Sequence, residues 1–339
     1  MPASIDNLVV QQSFPEPRPS TNPYLVQLFR SLEETDGVAP QTFGWRRALR
    51  ADYDIFHVHW PENLAKGSSP LKSFGRRALT RLLLARLRRK RIPIVRTMHN
   101  LDRPAGRSSA EYRVLDRIDR QTALVISLNE HTPNLTNAPN EVIVHGHYRD
   151  WFREYPKSSP VDARLAFFGL IRRYKNLVHL MNVHSALPRE FSLRIGGKPS
   201  SPELSADIAR ARGTDERVIL DLRFLTDAEI VTIVTESQLV VLPYTEMHNS
   251  GSVLAALSLD RPVLVKGNNV NRSLAKEVGS RWVQLYSGEL EPEDVLLAYA
   301  GVLSIAPGDA PDLTSRNWDR VGGRHLIAYR RALEILAAR

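Results

Sequence analysis

Short apolar runs alternate with amphipathic stretches along nearly all 339 residues, and this alternation is the strongest constraint on the fold. In the first half "NLVVQQSF", "YDIFHVHW", "IPIVRTMHN", "ALVISLN" and "EVIVHGHY" read as strands, with helical patterns near residues 22–34, 72–90 and 109–121. After "YPKSSPVDAR" a second series follows: "LAFFG", "FSLRIGG", "VILDLRF", "LVVLPY", "PVLVKG" and "WVQLY", with helical patterns near 176–186, 203–211, 227–236, 251–259 and 271–279. Strands that regularly alternate with helices pair in parallel, and the helices then cover both sheet faces. The expectation is an α/β chain of two Rossmann-like, doubly wound domains facing a central cleft. The boundaries expected are 1–157 and 158–315, with a last helical segment at 316–339 after the turn-rich "APGDAPD".

Parallel sheets place ligands beyond the carboxyl ends of their strands, so the residues just after each strand carry the functional reading. "LPYTEMHNSG" leaves a strand and runs into a helix, placing Tyr244, Glu246, Asn249, Ser250 and Gly251 in one loop. A helix start with free amides, and a glycine that lets the backbone approach closely, suits an anion such as phosphate. Ser250 and Asn249 also suit ordinary capping. Glu246 is placed to accept hydrogen bonds from sugar or ribose hydroxyls. "GLIRRYKNL" follows "LAFFG": Gly169 permits a tight exit, and Arg172, Arg173 and Lys175 form a cationic loop able to neutralise a diphosphate leaving group.

In the first half, histidines recur at strand ends: His57 and His59 with Trp60 and Glu62, His99 before Asn100, Glu130 with His131, and His145 with His147. This recurrence points to a polar acceptor site, in which His59, Glu62, His99 and Glu130 are candidate general bases. His57 and His59 share a strand face, as metal ligands do, but the spacing offers no third or fourth ligand and no metal is expected. Asp52 and Asp54 form an Asp-x-Asp, but they precede a strand and so sit at the wrong end of the sheet. There is no Gly-x-Gly-x-x-Gly after the first strand, no Gly-Lys-Ser/Thr loop and no Gly-x-Ser-x-Gly, which argues against dehydrogenase, P-loop and α/β-hydrolase chemistry. The absence of cysteine excludes disulfides and thiolate catalysis.

The net charge of +9 is local. Between Lys72 and Arg91 nine basic residues occur with no acidic one, so the rest of the chain nets to zero. Phe74, Ala78, Leu79, Leu82, Leu83 and Leu87 fall at helical spacing within that segment. Two readings stand: a helix on an anionic membrane surface through Arg76, Arg77, Arg81, Arg88, Arg89 and Lys90, or a core-facing helix with a solvated basic face. Nucleic acid is disfavoured because no aromatic residues interleave with the arginines. With no signal-like start and no long apolar run, the expected location is cytoplasmic, peripheral at the inner face of the membrane.

Taken together, "HVHWPE", "TMHN", "FFGLIRRYKNL", "LPYTEMHNSGSVLAALSLDRPVL" and "NWDRVGGRHLIAYRRAL" resemble the GT-B glycosyltransferases, in particular bacterial exopolysaccharide and glycolipid β-mannosyltransferases. The resemblance implies a C-terminal nucleotide-sugar domain, with Arg172 and Lys175 on the diphosphate and Glu246 near the sugar or ribose. It also implies an N-terminal acceptor domain to which the last helix crosses back, a GDP-mannose donor, a glycan or lipid-linked acceptor, inversion, and no metal or other cofactor. Many relatives carry a second glutamate eight positions after the first, where this chain has Leu254. The competing expectations are a non-catalytic GT-B-like binding module and a sugar-nucleotide epimerase of the same build.

Overall fold

The computed structural model describes residues 7–18, 21–100, 106–249 and 251–338. Two compact units are present, Met1–Gly146 with Arg316–Arg339, and His147–Ser315.

The first unit runs β1 (Leu8–Gln12), α1 (Pro23–Glu33), β2 (Val38–Gln41), α2 (Trp45–Arg50), β3 (Ile55–Val58), α3 (Glu62–Ala65), α4 (Pro70–Lys90), β4 (Ile94–Met98), α5 (Ser109–Gln121), β5 (Thr122–Ser127) and β6 (Asn140–Val142). Its six strands are all parallel, in the order β2-β1-β3-β4-β5-β6. Strand alternation separates two apolar layers. Ile55 packs with Val10, Val95 and Leu124 beneath α1, while Phe56 and Val58 pack with Leu83, Leu84 and Leu87 of α4 on the other face. β2 lies outside the sequence reading because "VAPQ" contains Pro40, and α2 because it spans only six residues. That proline is tolerated because β2 is an edge strand, where a missing N–H breaks no outer ladder.

The second unit runs α6 (Arg149–Phe152), β7 (Arg164–Phe168), α7 (Leu177–Ser185), β8 (Ser192–Gly196), α8 (Pro202–Arg212), β9 (Val218–Asp221), α9 (Asp227–Thr235), β10 (Leu239–Leu242), α10 (Gly251–Ser258), β11 (Val263–Lys266), α11 (Asn269–Val278), β12 (Val283–Tyr286) and α12 (Pro292–Val302). The parallel sheet has the order β12-β11-β10-β7-β8-β9, which counted within the unit is the 3-2-1-4-5-6 order of dinucleotide-binding sheets. The unit begins at His147, before the expected boundary at residue 158, because Tyr148 and Phe152 are buried in its core. The last helix, α13 (Trp318–Ala337), packs in the first unit, placing Trp318, Val321, Ala328, Tyr329 and Ala332 in the layer that holds α1.

Helix α4 is capped by Ser69, whose hydroxyl accepts from the Lys72 amide, and it ends at left-handed Arg91. Here the expected single apolar stripe divides in two. Thr80, Leu83, Leu84 and Leu87 are buried, whereas Leu71, Phe74 and Leu82 on the opposite side are 81%, 62% and 52% exposed. The basic residues divide too. Arg76 donates to the Asn63 and Lys66 carbonyls, and Lys90 donates to Arg50 O, Ala51 O and Asp52, so both brace neighbouring segments. Arg81, Arg88 and Arg89 are exposed. Among the described residues no helix is long and apolar enough to cross a membrane.

Candidate functional site

In the second unit the strand order reverses between β7 and β10, and the chain leaves both strands there. After β7, Gly169 has φ +98, and its amide donates to Gly196 O at 2.9 Å. The backbone is crowded at this point: a Cβ on Gly197, which has φ +153, would lie 1.9 Å from Gly169 O. The tight exit leads into a short 3-10 turn, Arg173–Lys175, closed by left-handed Asn176 at the start of α7. The three cations of this loop differ sharply. Arg172 is exposed, Arg173 pairs with Asp207 at 3.4 Å, and Lys175 is 7% exposed.

Lys175 Nζ lies 4.7 Å from the centroid of the Tyr244 ring, and it makes no hydrogen bond or ion pair among the described residues. Burial, with a smaller contribution from Arg172, pushes the ammonium down from 10.5 to about 8. Nearby atoms mark the space it faces: a Cβ on Gly169 would lie 3.6 Å from Nζ and 3.4 Å from Ser252 Oγ. Tyr244, 3% exposed and held 3.4 Å from Ser252 Oγ, joins β10 to the start of α10. Burial raises its phenol, so it stays a neutral donor.

The loop after β10 is held from two sides. Thr245 donates through its amide and hydroxyl to Tyr174 O at 2.8 and 3.1 Å, and Asn268 Nδ2 donates to Met247 O at 2.7 Å. Between these braces Glu246 is exposed and makes no side-chain hydrogen bond or ion pair among the described residues. Asn249 is half-buried, Gly251 opens α10, and the Ser250 expected as an anion contact lies outside the described residues. Leu254 is buried in the core. Sequence reasoning missed Tyr174, Thr245, Ser252, Gly197 and Asn268. Tyr174 and Thr245 meet 71 positions apart, and Gly197 meets Gly169 across β7 and β8, pairings that only the fold brings into reach.

The first unit has its own switch point, between β1 and β3. Beyond it lies a packed group of imidazoles. His57 Nδ1 is 2.9 Å from the Tyr329 hydroxyl and its Nε2 2.8 Å from Thr97 Oγ1. His59 Nε2 is 3.0 Å from Gln12 Oε1, and its Nδ1 is 3.1 Å from His99 Nε2. His99 stacks on Trp60 with ring centroids 4.0 Å apart, and Tyr24 packs against both His99 and His145. Burial and neighbouring imidazoles hold His57 and His59 well below their usual value. Burial, then His145 and Arg96, push His99 down to about 3. His145 and His325 are pushed down to about 4, chiefly by burial. These rings are therefore neutral at pH 7, and the burial that keeps them neutral also disfavours their protonation.

Of the four expected bases, the structure brings His59 and His99 together. Glu62 opens α3 and Glu130 is exposed in the turn after β5; neither makes a side-chain hydrogen bond or ion pair among the described residues. His147 belongs to the second unit, where its Nδ1 accepts from the Arg149 amide. Among the described residues no three His, Asp or Glu side chains form a group that could hold a metal.

No family profile matches the chain. Among curated proteins it is 40% identical over 335 residues to a GDP-mannose:glycolipid 4-beta-D-mannosyltransferase of Xanthomonas campestris pv. campestris, covering 98% of this chain and 94% of the relative. A second X. campestris sequence of the same description matches to the same extent. The chain belongs to this glycosyltransferase family. Its fold is GT-B, as in Anabaena HepE bound to UDP-glucose (TM-score 0.61, 13% identity, 98% of both chains). A Rickettsia africae glycosyltransferase is also similar (TM-score 0.58, 10% identity, 97% of this chain and 99% of the other). The enzyme is thus a glycosyltransferase built on two six-stranded parallel sheets.

Proposed function

We propose that this glycosyltransferase moves a mannosyl group from GDP-mannose to a hydroxyl of a glycolipid with inversion, the second unit holding the donor and the first supplying the base. The observation that carries the donor assignment is Lys175: a buried ammonium with no carboxylate partner among the described residues, beside Gly169 and the start of α10. A buried unpaired charge is costly and is retained where an anion completes it. In this reading Arg172 and Lys175 bind the diphosphate, the α10 amides add partial positive charge, and Glu246 accepts from sugar or ribose hydroxyls. The relatives' name supports the donor, the lipid acceptor and the β-linkage. GDP-mannose carries an α-anomeric phosphate, so a β-product requires one displacement with a base at the acceptor hydroxyl. In this reading the base is one of His59, Glu62, His99 and Glu130, of which His59 and His99 meet at 3.1 Å.

A lipid-borne acceptor also gives α4 a use. Its exposed Leu71, Phe74 and Leu82, flanked by Arg81, Arg88 and Arg89, suit an anionic membrane surface, at which the enzyme would be peripheral.

Calorimetric titration with GDP, UDP and dTDP, in the wild type and in Lys175→Ala, tests the donor reading. The expected result is preferential GDP binding that the substitution weakens. Equal binding by the variant removes Lys175 from the site, and conversion of GDP-mannose in a separate incubation without any acceptor supports an epimerase instead.

A further inference from the structure

The first unit also contains a cavity at the edge of its sheet opposite the histidine group. Pro93 and Gln121 line it and immediately precede β4 and β5, so it lies at the amino ends of those strands, where α4, α5 and α13 terminate. Its volume is about 480 Å³. Arg88 and Arg91 at the end of α4 and Arg117 and Arg120 on one face of α5 also line it, and no acidic residue does. Asp116 and Asp119 of α5 stay outside the lining, and Asp119 is paired with Arg96.

Cations at the carboxyl end of a helix ordinarily offset its dipole, often by hydrogen-bonding the last carbonyls. Of these four arginines only Arg91 does so: it donates to Leu336 O at 3.0 Å and ties the end of α13 to that of α4. The side chains of Arg88, Arg117 and Arg120 make no hydrogen bond or ion pair among the described residues. Nearby carbonyls are already closed by other donors. The Arg91 amide donates to Leu87 O and Arg88 O, and the Ile92 amide to Leu87 O at 2.9 Å. Thr122 donates through its amide to Asp119 O and through its hydroxyl to Ile118 O at 3.0 Å. Arg91 also holds φ +54, a left-handed conformation that favours glycine, so its side chain is present against the backbone preference. Four guanidinium groups thus surround one space with no counter-charge in its lining, which raises the local potential for an anion.

We infer that this cavity is a binding site for a phosphate group, separate from the donor loop and from the histidine group. Paired arginines suit phosphate because each planar fork grips two oxygens. Buried Leu87 and Ile92 form an apolar side of the same cavity, against which the carbon portion of a phosphate ester can lie. Arg88 is shared with the exposed basic face of α4, so the group is carried either by a lipid headgroup at a membrane or by a soluble phosphate ester. Both carriers present the same anionic ester oxygens. Such a site is occupied independently of the sugar transfer.

Nitrogen-15 NMR of the arginine Nε groups in the full chain, assigned with single Arg→Lys variants, reads the site during titration with glycerol phosphate. The signals of Arg88, Arg91, Arg117 and Arg120 should shift together and saturably, while Arg172 reports separately on the donor loop. Arg117→Lys combined with Arg120→Lys keeps the charge but loses two forks, and should weaken that binding about 10-fold or more. Sedimentation with phosphatidylglycerol vesicles identifies the carrier. A lysine double variant that sediments less than wild type supports the site with a lipid headgroup in it, since plain surface attraction is the same for both cations. Equal sedimentation, beside a saturable glycerol phosphate shift that the variant weakens, supports the site with a soluble ester in it. Equal sedimentation beside a shift that the variant leaves unweakened, or beside no saturable shift at all, overturns the site.

Discussion

Replacing Lys175 by methionine should stabilise the empty protein and disable it. Methionine keeps the unbranched stem that lies against Tyr244 and removes only the ammonium. In the folded chain that ammonium titrates at about 8, against 10.5 when free, and the difference corresponds to roughly 3 kcal/mol spent in holding the charge. Losing the cation–π contact returns about 1 kcal/mol, so a net gain of about 2 kcal/mol is expected at pH 7. The sign depends on pH. Below pH 8 both folded and unfolded lysines are charged and the whole penalty is present; between about 8 and 10.5 the folded lysine loses its proton first and the penalty fades. Urea unfolding of the two proteins at pH 7 and pH 10 should therefore show a gap that shrinks at the higher pH. Adding saturating GDP should close or reverse that gap at pH 7, since a charge-assisted bond to phosphate is worth about 1.5–3 kcal/mol, or about 10- to 150-fold in affinity. A methionine variant that is less stable than wild type at pH 7 without ligand would refute the reasoning.

Three further outcomes follow from the same geometry. GDP affinity in the wild type should weaken as pH rises through about 8, because the free site then loses the Lys175 proton that the phosphate needs; a flat profile from pH 7 to 9 by calorimetry would contradict this. Gly197→Ala should cost more than about 3 kcal/mol or prevent folding, as its methyl would sit 1.9 Å from Gly169 O, and near-wild-type thermal stability would disprove that crowding. Changing Arg81, Arg88 and Arg89 together to serine should weaken binding to phosphatidylserine vesicles about 100-fold at low salt, at about 1 kcal/mol per charge, with GDP binding unchanged; sedimentation equal to wild type would end the membrane role of α4.

The sequence carries the fold more openly than it carries the site. Strands and helices alternate with clear periods, so both sheets were legible except where a local feature masked an element. Pro40 hid β2, and the short α2 and late α12 gave no pattern distinct from their loops. The site depends on pairings that parallel topology makes remote: His59 meets His99 40 positions away and Gln12 47 positions away. Composition cannot rank Arg172, Arg173 and Lys175 either. In the fold Arg172 is exposed, Arg173 is exposed but paired with Asp207, and Lys175 is buried with no hydrogen bond or ion pair among the described residues. The stripe on α4 shows the same limit, since helical spacing groups apolar residues but cannot tell that Phe74 and Leu82 face away from Leu83 and Leu87.

The central claim is a base-assisted, inverting mannosyl transfer, and the anomeric configuration of its product tests it most directly. GDP-mannose labelled with carbon-13 at the anomeric position would be incubated with the enzyme and a lipid-linked oligosaccharide fraction, and the one-bond carbon–hydrogen coupling of the transferred sugar read by NMR. The account predicts a β-mannosyl product formed only when the acceptor fraction is present. An α-linked product, or conversion of the donor without acceptor, would contradict it.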